Sequence, residues 1–338
     1  MNNLSSERLE LGPDEALATA QLAEELTNRY SSSEDPQFIE DLPLWASELP
    51  TRTRRFLRRF QTQEPSGFCV VSGHVIEQDR IGPTPEDWRG RALPRPEFPE
   101  EVILLLYASL VGEPFGWTTQ QDGVLVHDVF PMRKHETDQL GMNSKELLTW
   151  HTEDAFHPYR ADFLILASLR NPGNVATTVG SFNLDLLTSK QIDILFQERF
   201  IIRPDESHLP KNNTKNDQNT FANILQINNA AKPVAILFGS PTDPYLRIDP
   251  YFMEIPDGNK ENKDAYKAII ALIEVSQRDV VLSPGDYLIL NNHRVVHGRR
   301  PFKARYDGTD RWLKRINVTR DLAKSRSMRA SNYSRLIG

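Results

Sequence analysis

The segment LLTWHTEDAFHPYR, residues 147–160, places a histidine and a glutamate two residues apart, directly after an apolar run. If the run is a β-strand, alternate side chains share a face, so His151 and Glu153 converge while the residue between them points away. The segment DYLILNNHRVVHGRR adds either His293 or His297 after another predicted strand. Two histidines and one carboxylate form the facial triad that holds non-haem Fe(II) and leaves coordination positions open for reactants.

Other interpretations of these residues compete with an iron site. A His-x-Glu pair alone often arises by chance. His293 and His297 have the i, i+4 spacing of zinc-binding His-Glu-x-x-His helices, but no glutamate stands between them and the preceding segment predicts a strand. A zinc hydrolase is therefore disfavoured. The remaining histidines have no partner at an informative spacing and are predicted to be surface or core residues: His74, His127, His135, His157 and His208.

Arg311 follows His297 by fourteen residues, in the run RPFKARYDGTDRWLKRINVTR. A fixed guanidinium binds a carboxylate through two parallel hydrogen bonds, which a lysine cannot reproduce. This is what the distal carboxylate of 2-oxoglutarate would need while its keto acid chelates iron. For Arg299, Arg300 and Arg305, structural ion pairs are the simpler expectation.

The composition excludes several classes of protein. The chain has 338 residues and a net charge of −6, with no basic face of the kind that binds nucleic acid. Cys69 is the only cysteine, so an internal disulfide is impossible. We find neither a secretory leader nor an apolar stretch of about 20 residues that would span a membrane. The sequence thus predicts a cytoplasmic protein without membrane or nucleic-acid partners.

The elements that must position these residues are mostly short strands. Helices are predicted at 13–30 and 51–63, from Thr188 towards Phe196, and around Tyr266 to Ile273. Strands are predicted at 68–72, 124–130, 162–169, 175–179, 199–203, 234–239, 279–283, 286–290 and 312–320. Many strands with few βαβ alternations favour a mainly β jelly roll with flanking helices over a doubly wound fold. The polar, Asn-rich segment 209–221 predicts a surface loop that could serve as a lid.

Several longer motifs resemble the clavaminate synthase-like Fe(II)/2-oxoglutarate oxygenases that hydroxylate free L-lysine or L-arginine. The likeness spans nearly the whole chain and is carried by WHTEDAFHPYRADF, SLRNP, VATT, LFQERFIIRPDESHL, HGRRPF and RYDGTDRWLKRIN. The resemblance implies a distorted double-stranded β-helix in one oxygenase domain, 1–338, with a helical portion, 1–66, and a lid, 205–232. It also implies Fe(II), 2-oxoglutarate and O₂ as cofactor and cosubstrates.

The resemblance further implies a role for individual residues. The iron ligands would be His151, Glu153 and His297, with no catalytic residue beyond them. The 2-oxoglutarate residues would be Arg311 and Thr177. The substrate residues would be Arg315 for the α-carboxylate, Gln120 and Glu153 for the α-amino group, Asp205 in the lid, and Asp249 with Tyr251 for the side chain.

The substrate is predicted from residues 246–252, LRIDPYF. Arginine hydroxylases of the resembling family carry an Asp-x-Asp pair there, whereas this chain has Asp249 and Tyr251. One carboxylate and one aromatic ring suit a compact ammonium better than a planar guanidinium, so lysine is preferred over arginine. Family resemblance alone favours carbon 4 over carbon 3.

Two alternatives stay open at this stage. The first is an arginine hydroxylase or desaturase of the same family. The second belongs to another class, a non-catalytic jelly-roll protein that binds a metal or ligand without turnover. The sequence also leaves open a homo-oligomer and a carrier-bound rather than free amino acid.

Overall fold

A computed structural model describes residues 6–91, 94–213, 218–256 and 258–338. In these ranges the helices are α1 (Pro13–Arg29), α2 (Pro36–Ala46), α3 (Thr51–Gln63), α4 (Gln78–Ile81), α5 (Phe98–Val111), α6 (Ser189–Leu195), α7 (Gln218–Asn229) and α8 (Lys260–Ser276). The strands are β1 (Ser6–Glu10), β2 (Phe68–Ser72), β3 (Glu113–Trp117), β4 (His127–Val129), β5 (Leu148–His151), β6 (Phe163–Arg170), β7 (Ala176–Gly180), β8 (Ile201–Ile202), β9 (Leu237–Gly239), β10 (Pro244–Leu246), β11 (Met253–Glu254), β12 (Arg278–Val281), β13 (Tyr287–Asn291), β14 (Val296–Arg299), β15 (Trp312–Thr319) and β16 (Leu336–Ile337).

Two sheets form the framework of the protein. The larger sheet has eight strands in the order β1-β2-β13-β6-β15-β3-β16, with β4 also paired to β15. The smaller sheet has four strands in the order β12-β7-β14-β5. Pairing is antiparallel except for β1 with β2 and β16 with β3. The predicted mainly β jelly roll with flanking helices is confirmed.

The central strands β2, β6 and β13 of the larger sheet are buried on both faces because each face is covered. On β2, Phe68 and Val70 contribute to a cluster that includes Val179 of the smaller sheet. The alternate residues Cys69 and Val71 pack into a separate cluster with the N-terminal helices. A period of two thus sends one set of side chains between the sheets and the other towards the helices. The thiol of Cys69 is fully buried, as expected for a structural cysteine.

Helix α5 anchors β15, the strand that carries Arg315 and that Arg311 directly precedes. The ammonium of Lys314 is completely buried and lies 2.7 Å from Glu97, 2.8 Å from Glu101 and 2.7 Å from Asp128. These carboxylates outweigh the effect of burial and raise the pKa of Lys314. Because a buried charge is tolerated only when it is paired, the network fixes how β15 lies against the helix.

Four helices were not predicted from the sequence: α2, α4, α5 and α7. Helix α4 is a single turn of four residues. Helix α5 is buried on nearly every side, so its residues lack the amphipathic period by which a surface helix is recognised. Helix α2 contains an internal proline, Pro43, which argues against a helix in sequence. Helix α7 overlaps the predicted loop 209–221, which is therefore wrong over its final residues. Residues 214–217 of that loop lie outside the described residues.

No helix among the described residues combines the length and the apolar character needed to cross a bilayer. The single-domain organisation, the lid and the cytoplasmic location stay predictions.

Candidate active site

Two neighbouring strands of the smaller sheet bring the predicted triad together. His151 on β5 pairs in register with His297 on β14, and their rings lie 4.7 Å apart. The Oε2 atom of Glu153 is 3.6 Å from Nε2 of His151 and 3.3 Å from Nε2 of His297. One ligand atom from each residue lies within 4.8 Å of the others. Two imidazoles and a carboxylate at this separation fit a single ferrous ion.

Hydrogen bonds and charges prepare these side chains for a cation. The Nδ1 atom of His151 lies 2.8 Å from the carbonyl of Thr149, so its Nδ1–H donates there and Nε2 is left as the ligand atom. Burial lowers the pKa of His151, but the hydrogen bond with Glu153 and the charge of Asp249 outweigh it and raise the pKa to about 9. Burial lowers the pKa of His297.

Glu153 reaches the triad from a turn rather than from a strand. Strand β5 ends at His151, so the strand alternation expected in the sequence analysis does not extend to Glu153. The side chain of Asn292 accepts a hydrogen bond from the Glu153 amide at 2.7 Å and donates to the carbonyls of Glu153 and Ala161. These hydrogen bonds could not be predicted, since nothing in the sequence pairs residues so far apart.

His293, the other candidate ligand, lies outside the triad. Its Nε2 atom is 3.6 Å from a carboxylate oxygen of Asp162, and its ring packs on Phe238 and Tyr245. Residue spacing left His293 and His297 as alternative metal ligands, and the geometry favours His297.

A cavity of about 830 Å³, including its open mouth, joins the triad to the other predicted site residues. At one end, Arg311 lies buried with its Nη2 atom 3.1 Å from Oγ1 of Thr177. Burial and the nearby charge of Arg299 lower the pKa of Arg311 to about 9. Within the described residues the Arg311 guanidinium has no ion pair, and its Nε atom has no hydrogen-bond partner. A buried cation without a counter-ion fits the distal carboxylate of 2-oxoglutarate.

At the other end, Arg315 bridges the triad and the cavity wall. It forms an ion pair with Oε1 of Glu153, the oxygen not directed at the histidines. Its Nη2 atom lies 2.9 Å from Oε1 of Gln120 and 2.8 Å from Nδ1 of His127. Burial raises the pKa of Glu153, but the charge of Arg315 and the two histidines hold it well below its usual range. His127, expected to be a surface or core residue, instead supports the site.

The residues predicted to bind the substrate side chain line the same cavity. Asp249 is buried and accepts hydrogen bonds from the backbone amides of Tyr251 and Phe252. Burial raises the pKa of Asp249 to about 6. Asp205 also lines the cavity. Tyr251 is 57% exposed, so it lies at the rim of the cavity.

A second cluster beside the triad was missed by the sequence analysis. His208, also expected to be structural, is fully buried with its Nε2 atom 2.9 Å from Oδ1 of Asp154 and its Nδ1 atom 2.7 Å from Oγ1 of Thr119. Asp154 directly follows Glu153 in the chain. Only the fold brings His208 to this turn.

Comparison with known proteins gives matches over the whole chain. The family model described as taurine catabolism dioxygenase TauD, TfdA family, matches residues 211–317. The chain is 43% identical to the enduracididine beta-hydroxylase of Streptomyces hygroscopicus, over 97% of this chain and 99% of that protein. It is 41% identical to the L-ornithine/L-arginine 3-hydroxylase of Catenulispora acidiphila, over 98% of this chain and 99% of that protein.

Solved structures agree with these relatives. The crystal structure of the non-heme iron oxygenase OrfP in complex with Fe, succinate and (3S)-hydroxy-L-Arg matches with a TM-score of 0.96 and 53% identity, covering 99% of this chain and 100% of that one. OrfP in complex with Fe and alpha-ketoglutaric acid matches with a TM-score of 0.90 and 51% identity over the same shares.

The preference for lysine and for carbon 4 is not supported by these matches. The L-lysine 4-hydroxylase of Flavobacterium johnsoniae is only 28% identical, over 88% of this chain. The preference for lysine assigned the Tyr251 ring to an ammonium. Tyr251 lines the cavity, but its side chain is more than half exposed.

Proposed function

This chain belongs to the TauD/TfdA family of Fe(II)- and 2-oxoglutarate-dependent oxygenases, and from this premise we propose that it hydroxylates carbon 3 of free L-arginine. It is a dioxygenase that uses Fe(II), 2-oxoglutarate and O₂. Bound iron with its two cosubstrates supplies the oxidant that converts a C–H bond to C–OH, with succinate and CO₂ formed. The protein's own residues bind, orient and shield the reactants.

We propose His151, Glu153 and His297 as the iron ligands. The hydrogen bond from His151 to the Thr149 carbonyl supports this assignment, because it occupies Nδ1 and leaves Nε2, which faces Glu153, as the atom that would bind the metal. Arg311 and Thr177 then hold the distal carboxylate of 2-oxoglutarate. The bidentate guanidinium fixes the direction of the cosubstrate as well as its position.

The single observation that carries arginine as substrate is that two carboxylates, those of Asp249 and Asp205, line the same cavity. Asp249 is buried, and among the described residues no lysine or arginine forms an ion pair with it. A buried carboxylate is stable only with a partner, and Asp205 adds a second negative charge nearby. A planar guanidinium can bind two carboxylates at once through its fork of donors. The relatives named for arginine and the OrfP complexes support the same substrate.

The position of attack follows from where the amino-acid head group would bind. Arg315 contacts the metal-ligand candidate Glu153 directly, and Gln120 contacts Arg315. With the α-carboxylate at Arg315 and the α-amino group at Glu153 and Gln120, carbon 3 is the first side-chain carbon beyond these anchors. Relatives named as a beta-hydroxylase and a 3-hydroxylase support this carbon over carbon 4.

An aerobic assay with Fe(II) and 2-oxoglutarate tests the proposal. Arginine, ornithine, enduracididine and lysine would be offered separately, and each product analysed by mass and by NMR. We expect arginine to gain one oxygen atom at carbon 3, with one succinate formed per product. Hydroxylation of lysine with arginine left unchanged would overturn the substrate, and ligand binding without succinate formation would overturn the reaction.

A further inference from the structure

His208 is buried beside the triad on a segment far from it in sequence. It ends the short 3₁₀ turn Glu206–His208, whose N-cap is Asp205. The Asp205 side chain accepts a hydrogen bond from the Ser207 amide at 2.8 Å. The position of the Asp205 carboxylate in the cavity wall therefore depends on where this turn is held.

Asp154, the hydrogen-bond partner of His208, is held in place by hydrogen bonds at both carboxylate oxygens. One carboxylate oxygen of Asp154 bonds His208 at 2.9 Å, and the other accepts a hydrogen bond from the indole of Trp117 at 2.6 Å. Asp154 has a φ of 49°, in the left-handed region that non-glycine residues seldom adopt. Such a conformation persists only when the surroundings hold it, and here it directs the chain immediately after Glu153.

A second contact joins the same two parts of the site. The side-chain nitrogen of Gln120 donates to Oγ of Ser207 at 2.5 Å, and its oxygen accepts from Arg315 at 2.9 Å. Arg315 is in turn paired with Glu153. The segment that carries Asp205 is thus connected to the metal-ligand turn from two directions.

We propose that His208 is a positioning residue, whose hydrogen bond to Asp154 holds Asp205 against the substrate end of the cavity while fixing the turn of Glu153. This inference rests on the proposed function, because it assigns Asp205 to the substrate guanidinium. Loss of the bond would free Asp205 and loosen amino-acid binding, while the cosubstrate end formed by Thr177 and Arg311 would be unaffected.

A buried histidine elsewhere in the chain provides a matched control. His74 bonds the hydroxyl of Tyr107 at 2.7 Å and contacts the ring of Tyr287, among residues of the helix-facing core. It resembles His208 in burial and in having a long-range hydrogen bond, but it does not line the cavity. His74→Leu should lower thermal stability without a selective effect on either substrate.

The test compares His208→Leu, His208→Gln and His74→Leu in the full-length holoenzyme. A glutamine amide can donate to Asp154 as Nε2–H does, whereas leucine cannot. We expect His208→Leu to raise the KM for arginine about 10-fold or more, because it removes a hydrogen bond to a charged group that positions Asp205. It should also produce succinate in excess of hydroxyarginine. His208→Gln should restore most of the one-to-one ratio of hydroxyarginine to succinate. The KM for 2-oxoglutarate should be unchanged in all three variants.

Amide hydrogen exchange gives a readout that does not require turnover. Residues 205–213 and 153–157 should exchange faster in His208→Leu than in the wild type, and His74→Leu should leave them unchanged. Equal effects on both KM values, a glutamine variant as impaired as leucine, or unaltered exchange would each overturn the inference. A wild-type enzyme inactive on arginine would instead contradict the proposed function, and the exchange result would still test the link.

Discussion

The two ends of the cavity are built from different kinds of structure. At the cosubstrate end, Thr177 lies on β7 and Arg311 directly precedes β15. At the amino-acid end, Asp205 caps a short 3₁₀ turn and Asp249 lies in an irregular segment between short strands. Strands in a sheet are fixed by many backbone hydrogen bonds, whereas irregular segments depend on a few side-chain contacts.

The groups proposed for the reaction and the groups proposed for substrate selection therefore lie in different kinds of structure. His151, His297 and Thr177 lie on strands and Arg311 directly precedes one, and the reaction type was predicted correctly from residues of this kind. The residues proposed to select the amino-acid side chain lie in irregular segments, and the predicted preference for lysine is not supported by the similar proteins. The following changes test that separation, from the largest expected effect to the smallest.

His297→Ala removes a proposed iron ligand at the point where the two ends meet. Turnover should fall more than about 100-fold, since loss of even an outer-sphere partner costs up to about that much. Iron content after dialysis, measured by mass spectrometry, should fall in parallel. His293→Ala is the matched control and should retain iron. Retention of iron and activity in His297→Ala would contradict the assignment.

Arg311→Met perturbs the cosubstrate end alone. Removing one partner of a buried charge pair costs about 2–5 kcal/mol, so the KM for 2-oxoglutarate should rise by about 30-fold or more. Arginine affinity, measured by calorimetry, should change little. If both affinities fell together, the two ends would not be independent.

Asp249→Asn perturbs the amino-acid end alone. A hydrogen bond to a charged group contributes about 1.5–3 kcal/mol, so the KM for arginine should rise about 10-fold or more. The KM for 2-oxoglutarate should be unchanged in the same steady-state assay. A selective effect on 2-oxoglutarate would reverse the assignment of the two ends.

The pH dependence of arginine binding should follow Asp249. Its pKa is raised to about 6 by burial, with Asp205 raising it further and His151 lowering it. The carboxylate is charged above that pH, so the KM should be flat at neutral pH and rise as the pH falls below about 6. The profile for Asp249→Asn should lack this rise. An identical profile in both proteins would assign the titration to another group.

Tyr251→Phe should have the smallest effect. The Tyr251 side chain is more than half exposed, and its hydroxyl makes no hydrogen bond within the part of the chain that the structure describes. The KM for arginine should change less than about twofold, as expected for a surface substitution. Hydroxylation of lysine by the wild type, lost in this variant, would restore the sequence-based argument for a lysine pocket.

Much of the candidate site was predictable because residue types with a rare joint chemistry recur at short spacings. His151 and Glu153 are two residues apart, and Arg311 and Arg315 lie on one short run. The supporting contacts were not predictable. Asn292, His127 and His208 touch the site only through the fold, and each appears in sequence as an ordinary polar residue.

The sequence by itself determined the strand-rich fold and the ligand types of an iron oxygenase, because side-chain alternation and donor chemistry are local properties. Residue spacing alone left both His293 and His297 possible, and the tertiary structure brings His297 beside His151, because the two pair in register on β14 and β5 whereas His293 precedes β14. It also placed Asp249 in the cavity, without a lysine or arginine partner among the described residues, and Tyr251 at the cavity rim. The burial of a side chain and its ion-pair partners depend on how the chain packs, and they determine which cation the site can hold.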